Sequence, residues 1–267
     1  MLISVVTPVH QGRLDYLTAA YESLVAQVMP DGWDWEWLVQ HDSPSPLELP
    51  QAAQADPRVR PGAARHGGPG VARTVALQRA RGVYVRNLDS DDVLPPTALT
   101  RSIEVLEQHP EVGWTTCRVL DLMPDGSLTA FPGDPAEGPI PVGAVAQYWR
   151  EHDWRLYVHP TTITIRRELL LALGGWMALP ISEDTGMMLT ANTFATGWFI
   201  ADIGLFYRQH PGQITKADPD ASDRAERMAM IDQRLRALES LLSPGRTENR
   251  NPSATSDQLQ PSRKELR

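Results

Sequence analysis

Short runs of β-branched and aliphatic residues alternate with amphipathic stretches over the first 117 positions. Leu2–Thr7 reads as a buried strand stopped by Pro8, and Leu14, Leu17, Tyr21, Leu24 and Val25 recur at helical spacing, predicting a helix over about Asp15–Gln27. Trp35–Val39 reads as a second strand, followed by a loop punctuated by Pro44, Pro46 and Pro50. A Gly-Pro turn opens a helix over Gly70–Arg81, and Val83–Leu88 follows as a third strand. Pro95 and Pro96 start a helix that runs to about His109, and Val112–Cys117 is a further strand. Strand and helix in alternation predict βαβ units, and so an α/β fold with a Rossmann-like, mostly parallel central sheet flanked by helices.

The second half is less regular. Residues 118–141 read as a loop or hairpin, turned at Pro124-Asp125-Gly126. Thr161–Ile165 reads as a strand, Glu168–Leu173 as a short helix, Thr185–Thr196 as a helix preceded by the N-cap chemistry of Ser182, Glu183 and Asp184, and Trp198–Phe206 as a strand. Ile231, Leu235, Leu238 and Leu242 make the apolar stripe of a C-terminal helix over about Ala221–Leu242. The expected division is 1–117, 118–242 as the second half of the same domain, and 243–267 as a polar, disordered tail.

Composition narrows the function. The 267 residues carry 33 acids against 25 bases, a net charge of -8, which argues against a nucleic-acid partner because phosphate neutralisation needs a basic face. Cys117 is the single cysteine, so neither an internal disulfide nor a multi-cysteine zinc site is expected. Met1–His10 lacks the basic region of a signal peptide, and Leu169–Ile181, the longest mostly apolar stretch, is too short and too broken by Gly174, Gly175 and Pro180 to span a bilayer. The simplest location is the cytoplasm.

In an open parallel sheet, ligands bind beyond the carboxyl ends of the strands. There stand Pro8, Val9 and His10, then His41 and Asp42, then Asp89, Asp91 and Asp92. Three carboxylates within four residues repel one another unless a cation is present, and oxygen-only ligands suit Mg²⁺ or Mn²⁺. Helix capping explains the same acids, and on the residues alone the two readings stand level. Asp42 suits an Asx turn, or acceptance of the N3–H of uracil or thymine. Gly67-Gly68-Pro69-Gly70-Val71-Ala72-Arg73 opens a helix whose N-terminus favours anions, without being a P-loop or a dinucleotide fingerprint. Glu183-Asp184 suits capping, or one carboxylate acting as general base. His210 is structural or a metal or phosphate ligand. His159 either faces an acceptor or is a loop histidine. Trp33, Trp35 and Trp37 read as packing or an interface, while Trp149, Trp154 and Trp176 are candidates for stacking a sugar.

Together these pieces resemble the bacterial inverting glycosyltransferases of family 2, which have the GT-A fold. Ile3-Ser4-Val5-Val6-Thr7-Pro8-Val9 resembles the family's first strand and nucleotide loop, Asp42 its base-contacting acid, and Gly67 to Arg73 its Gly-rich helix start. Leu88-Asp89-Ser90-Asp91-Asp92 resembles the D-x-D element, Gly174-Gly175-Trp176 and Glu183-Asp184 the acceptor-side segment, and Tyr207-Arg208-Gln209-His210-Pro211-Gly212 the closing segment. The resemblance covers about residues 1–215 and departs at His41 and Ser43, where an acid and a glycine are usual, and at Thr74, where an asparagine is common.

The resemblance implies a nucleotide-sugar-binding half over 1–117 and an acceptor-side half over 118–242. It implies a metal-dependent inverting glycosyltransferase of the hexosyl- or N-acetylhexosaminyltransferase type. Asp184, with Glu183 beside it, is the expected catalytic base. Thr7, Pro8, Val9, Asp42, Gly68, Arg73, Asp89 and Ser90 are the expected nucleotide contacts. Asp91, Asp89 and His210 are the expected ligands of Mn²⁺ or Mg²⁺, and Trp176 and His159 lie on the acceptor side. The expected partners are a UDP- or dTDP-sugar and a hydroxyl-bearing acceptor, a glycan or small metabolite, with no transmembrane segment. Two other classes fit the same residues: a sugar nucleotidyltransferase, which would release pyrophosphate, and a non-catalytic nucleotide- or sugar-binding module on the same fold.

Overall fold

A computed structural model describes residues 1–10, 13–213 and 221–242; the expected tail over 243–267 lies outside the described residues. The parallel half follows the hydrophobic pattern closely. Strand β1 (Leu2–Val9) lies between β2 (Asp34–His41) and β4 (Tyr84–Asn87), parallel to both, and the two-residue β3 (Gly62–Ala63) extends the edge beyond β2. Successive side chains on these strands point to opposite faces. Ile3, Val5, Trp35, Trp37 and Val39 join helices α1 (Leu14–Val25) and α4 (Ala98–Gln108) in one core, where Trp33 also packs. Val6, Leu38 and Val85 face α3 (Pro69–Leu77) and the helices of the second half. The proline-rich loop holds one short helix, α2 (Gln51–Ala55).

The second half introduces the antiparallel pairs. Strand β5 (Val112–Leu122) does not pair with β4. The three-residue β8 (Thr164–Arg166) sits between them, antiparallel to each. Strand β9 (Thr196–Arg208) then runs parallel to β5, and β6 (Leu128–Ala130) and β7 (Gly138–Ile140) add antiparallel edges to β5 and β9. The sheet order is β3-β2-β1-β4-β8-β5-β9-β7. Two antiparallel steps restore direction, so β1, β2, β4, β5 and β9 all end at one edge, and the start of β8 meets the end of β4 there.

The expected hairpin about Pro124-Asp125-Gly126 is present, with Leu122 opposite Leu128, and its first strand is the continuation of β5 along β9. One expectation is corrected. Thr161 and Thr162 belong to a 3-10 turn at Pro160–Thr162 rather than to a strand, since the Thr162 hydroxyl and N–H both bond to the His159 carbonyl. Helix α5 (Ala144–Glu151) was not anticipated; its buried Val145, Ala146 and Trp149 follow too closely on Pro139 and Pro141 to show a period. The remaining helices are α6 (Arg167–Ala172), α7 (Glu183–Phe194) and α8 (Ala221–Leu242). No helix among the described residues is long and apolar enough to cross a membrane.

Candidate active site

The strand ends open into a cavity of about 1100 Å³. Pro8, Val9 and His10 reach it from β1, Asp42 from β2, Asp89, Ser90 and Asp91 from β4, and Tyr207 and His210 from β9. The opposite wall is the start of α7, with Glu183, Asp184 and Thr185, joined by Gly67, Gly68 and Arg73 at the start of α3. His159, Pro160 and Thr161 complete the rim, delivered there by the antiparallel insertion of β8.

Arg73 is the electrostatic centre. It is 2% exposed, and its two Nη groups donate in different directions, one to Glu183 Oε1 and one to Asp89 Oδ1. Burial opposes its charge, but Asp89, Glu183 and Asp184 outweigh burial and hold the guanidinium more firmly protonated than usual. One cation among three carboxylates leaves an excess of negative charge. The Glu183 carboxyl absorbs part of it: burial, opposed by Arg73 and reinforced by Asp184, pushes it up to about 7. Helix α3 comes this close because Gly70 has no side chain; a Cβ there would lie 2.2 Å from the Met177 carbonyl oxygen and 2.9 Å from Glu183 Cβ.

Asp184 sits in the first turn of α7, where its Oδ1 accepts the Thr185 N–H (2.6 Å) and its Oδ2 accepts the Thr161 hydroxyl (3.3 Å). The helix begins at Glu183, two residues before the expected start, after Ser182 in the left-handed region at φ 70°. A serine held there is strained, a feature that clusters at functional sites. His159 stands near Tyr207, ring centroids 5.0 Å apart, and burial pulls its pKa down against the opposing pull of Asp184, Asp89 and Asp121.

The three acids after β4 separate by role. Asp91 faces the cavity, its Oδ2 2.8 Å from His210 Nε2. Burial and then Asp89 raise its pKa, with His210 opposing. Asp92 turns inward, fully buried, and its Oδ1 accepts the Arg208 N–H, tying β4 to the end of β9. Asp89 is held by Arg73. A divalent cation beside Asp91 fits this donor set, since it would relieve the repulsion that raises the carboxyl. His210 also accepts the Gly212 N–H on Nδ1 (3.2 Å), which leaves a proton on Nε2 for Asp91. To ligate a metal through Nε2, His210 would have to give up this arrangement.

Asp42 is 3% exposed, and its two oxygens accept the N–H groups of Gly67 (2.7 Å) and Gly68 (2.9 Å). It shapes the glycine loop as well as lining the cavity. His66 Nδ1 lies 2.7 Å from Asp42 Oδ2.

Two expected site residues lie elsewhere. Thr7 is fully buried, outside the cavity lining, and its Oγ1 accepts the Trp37 indole N–H (2.8 Å). Its side chain falls on the core face of β1, while Pro8 and Val9 reach the cavity. Trp176 is 5% exposed and packed in the core against α7, with its backbone N–H on Thr74 Oγ1 (3.0 Å), so it presents no face to an acceptor. Trp149 is likewise fully buried. Sequence reasoning missed His66, Arg13 and Tyr16, which also line the cavity. His66 had a local signal in its place directly before Gly67; Arg13 and Tyr16 had none beyond their place after the first strand.

A sheet whose carboxyl edge carries acids and a glycine-rich helix start, with an acidic helix N-terminus opposite, defines the GT-A class of fold. Crystal structures of residues 1–349 of TarS from S. aureus share it. The complex with UDP-GlcNAc matches with a TM-score of 0.68 at 20% identity, covering 91% of this chain and 68% of that one, and the complex with UDP with a TM-score of 0.66 at 21%, covering 91% and 67%. Residues 4–128 match the model of glycosyl transferase family 2. Over 116 residues (42% of this chain) it is 32% identical to the O-antigen biosynthesis protein RfbC of Myxococcus xanthus, and over 115 residues (41%) 35% identical to protein y4gI of Sinorhizobium fredii. The matched segments span 9% and 12% of those relatives' own lengths.

Proposed function

We propose that the protein is a metal-dependent inverting glycosyltransferase that moves a sugar from a UDP- or dTDP-sugar to the hydroxyl of a glycan or small-metabolite acceptor. The observation that carries this reading is the single cavity lined at once by Asp42, Asp89, Asp91 and Asp184. Its volume of about 1100 Å³ lies at the upper end of small-molecule sites, roomy enough for donor and acceptor together. The UDP-GlcNAc complex of TarS supports a nucleotide-sugar donor on this fold.

In this reading Asp42 contacts the pyrimidine through an oxygen already oriented by Gly67 and Gly68. Asp89, held by Arg73, and Ser90 contact the nucleotide. Asp91 holds Mn²⁺ or Mg²⁺, which when bound supplies positive charge to the departing diphosphate. His210, through its proton on Nε2, orients Asp91. Asp184 Oδ2 takes the proton of the acceptor hydroxyl, whose oxygen attacks the anomeric carbon from the face opposite the diphosphate. One displacement inverts configuration. Glu183 and Arg73 position Asp184 by fixing the first turn of α7. His159 borders the acceptor from the β8 side.

Asp184→Asn tests the reading. It is expected to lower transfer about 10²–10⁴-fold, the range for loss of a general base, while UDP binding measured by calorimetry with Mn²⁺ is kept. Near-normal transfer by the variant would remove Asp184 from the role. Pyrophosphate release from a nucleoside triphosphate and a sugar phosphate would point instead to a nucleotidyltransferase.

A further inference from the structure

At the end of the cavity away from Asp184, three side chains from three parts of the chain converge. His10 follows β1, Asp42 follows β2, and His66 precedes the glycine turn into α3. One nitrogen or oxygen from each lies within 4.8 Å of the others. The two imidazole rings stand 4.5 Å apart between centroids. We infer that His10, Asp42 and His66 form a second divalent-cation site, one that takes Zn²⁺ in preference to Mg²⁺ or Mn²⁺, and that its occupation excludes the nucleotide.

The ligand set decides the preference. Two imidazoles and one carboxylate are the donors of borderline ions, whereas Mg²⁺ and Mn²⁺ favour oxygen. Three protein ligands leave a coordination position open for water, as in zinc sites that exchange their fourth ligand. Bonds of about 2.0–2.2 Å would place ligand atoms about 3.3–3.5 Å apart around zinc. His66 Nδ1 is already 2.7 Å from Asp42 Oδ2, so the ion enters by a small opening of that pair. His10 and His66 are exposed and can turn to close on it, while Asp42 is buried and fixed. The Gly67 and Gly68 N–H groups that fix it are the outer partners that orient a ligating carboxylate. A buried carboxylate whose ionic partner is an exposed imidazole gains charge compensation from an ion there.

The site is separate from the acidic end. Asp42 and Asp91 follow strands with β1 between them, and Asp91 is paired with His210. The exclusion of nucleotide rests on the reading of Asp42 as the base contact under the proposed function; metal binding at the three residues does not. If both hold, zinc and a pyrimidine nucleotide compete for one carboxylate.

Co²⁺ is the probe, titrated into the full chain and followed by its visible absorption, with an Asp91→Ala background to remove any contribution from the acidic end. The expected result is strong bands of low-coordinate Co²⁺ that survive in Asp91→Ala, are abolished by Zn²⁺ and are indifferent to excess Mg²⁺. His10→Ala and His66→Ala, both changes of exposed side chains, each weaken Co²⁺ binding at least as much as the about 10- to 100-fold seen on losing an outer partner. Absent bands, or bands that survive both histidine variants, overturn the site. In the second arm, Zn²⁺ is expected to raise the Kd for UDP in the wild type and not in His66→Ala. A UDP affinity indifferent to Zn²⁺, in protein that shows the Co²⁺ bands, overturns the exclusion. Bands with no UDP binding under any condition leave the metal site standing and overturn the donor-site reading instead.

Discussion

Glu183 is 4% exposed, carries a carboxyl pushed up to about 7, and shares Arg73 with Asp89. Replacing it with glutamine keeps the volume and an oxygen for the Arg73 Nη group, and removes the titration. The sign follows from linkage. A carboxyl whose folded pKa is raised binds its proton more tightly in the folded chain, so the stability it contributes is present below its unfolded value of about 4.5 and is lost as pH rises through about 7. A rise from about 4.5 to about 7 corresponds to about 3 kcal/mol, most of which falls between pH 5 and pH 8. Asp91 and Asp92 are also raised, but both are present in the variant and cancel in the difference. Urea unfolding of wild type and Glu183→Gln at pH 5 and pH 8 reads the effect. Relative to wild type, the variant should gain about 2–3 kcal/mol on going from pH 5 to pH 8, about 5–10 °C in Tm for a chain of this size. A difference below about 0.5 kcal/mol would mean that Glu183 is ionised and fully paired throughout, and that one guanidinium does neutralise this group of acids.

Two further changes test the packing that sets the site. Gly70→Ala puts a methyl group 2.2 Å from the Met177 carbonyl oxygen and against Glu183, so α3 and α7 must part; the expected cost is about 1–3 kcal/mol by denaturant unfolding, with weaker donor binding because Arg73 moves with α3. Thr7→Val leaves the buried Trp37 indole N–H without its acceptor, for about 1–3 kcal/mol of stability, while UDP affinity by calorimetry is unchanged; a lost affinity would return Thr7 to the nucleotide site.

The half of the fold with one physical rule was legible in the sequence. Leu2–Val9, Asp34–His41 and Tyr84–Asn87 are buried on both faces, so they appear as short β-branched or aromatic runs, and a polar residue within two positions of each end marks where the sheet ends. That rule alone put Asp42, Asp89 and Asp91 at one edge. It failed where an element is too short to carry a period. Strand β8 has three residues, and the threonines before it look like more strand, although the Thr162 hydroxyl closes a turn on the His159 carbonyl and the Thr161 hydroxyl reaches Asp184. Side-chain direction at a strand end was also invisible: Thr7 and Pro8 are neighbours in sequence on opposite sides of the cavity wall. Trp176 offered an aromatic next to two glycines, a pattern that suits a sugar platform and a buried core residue equally, and packing against α7 decided it. His10 and His66 are 56 positions apart, and no local pattern joins them; the parallel pairing of β2 with β1 and with β3 does, bringing His10 and His66 to Asp42.

Arg73 explains why the two halves of this sheet act as one site. Its acids come from elements with no direct strand pairing: Asp89 ends β4, and Glu183 opens α7. A lysine at this position carries the same charge, but its compact ammonium cannot reach carboxylates on opposite walls as the two separated Nη groups do, so one wall would lose its partner. The guanidinium spans them only because α3 enters the sheet edge at Gly70, close enough that any side chain there would collide with α7. The glycine sets the distance and the arginine uses it. Asp184, one residue beyond Glu183, therefore inherits its position relative to Asp89 through a two-bond link, to which the Thr161 hydroxyl adds a contact on Oδ2.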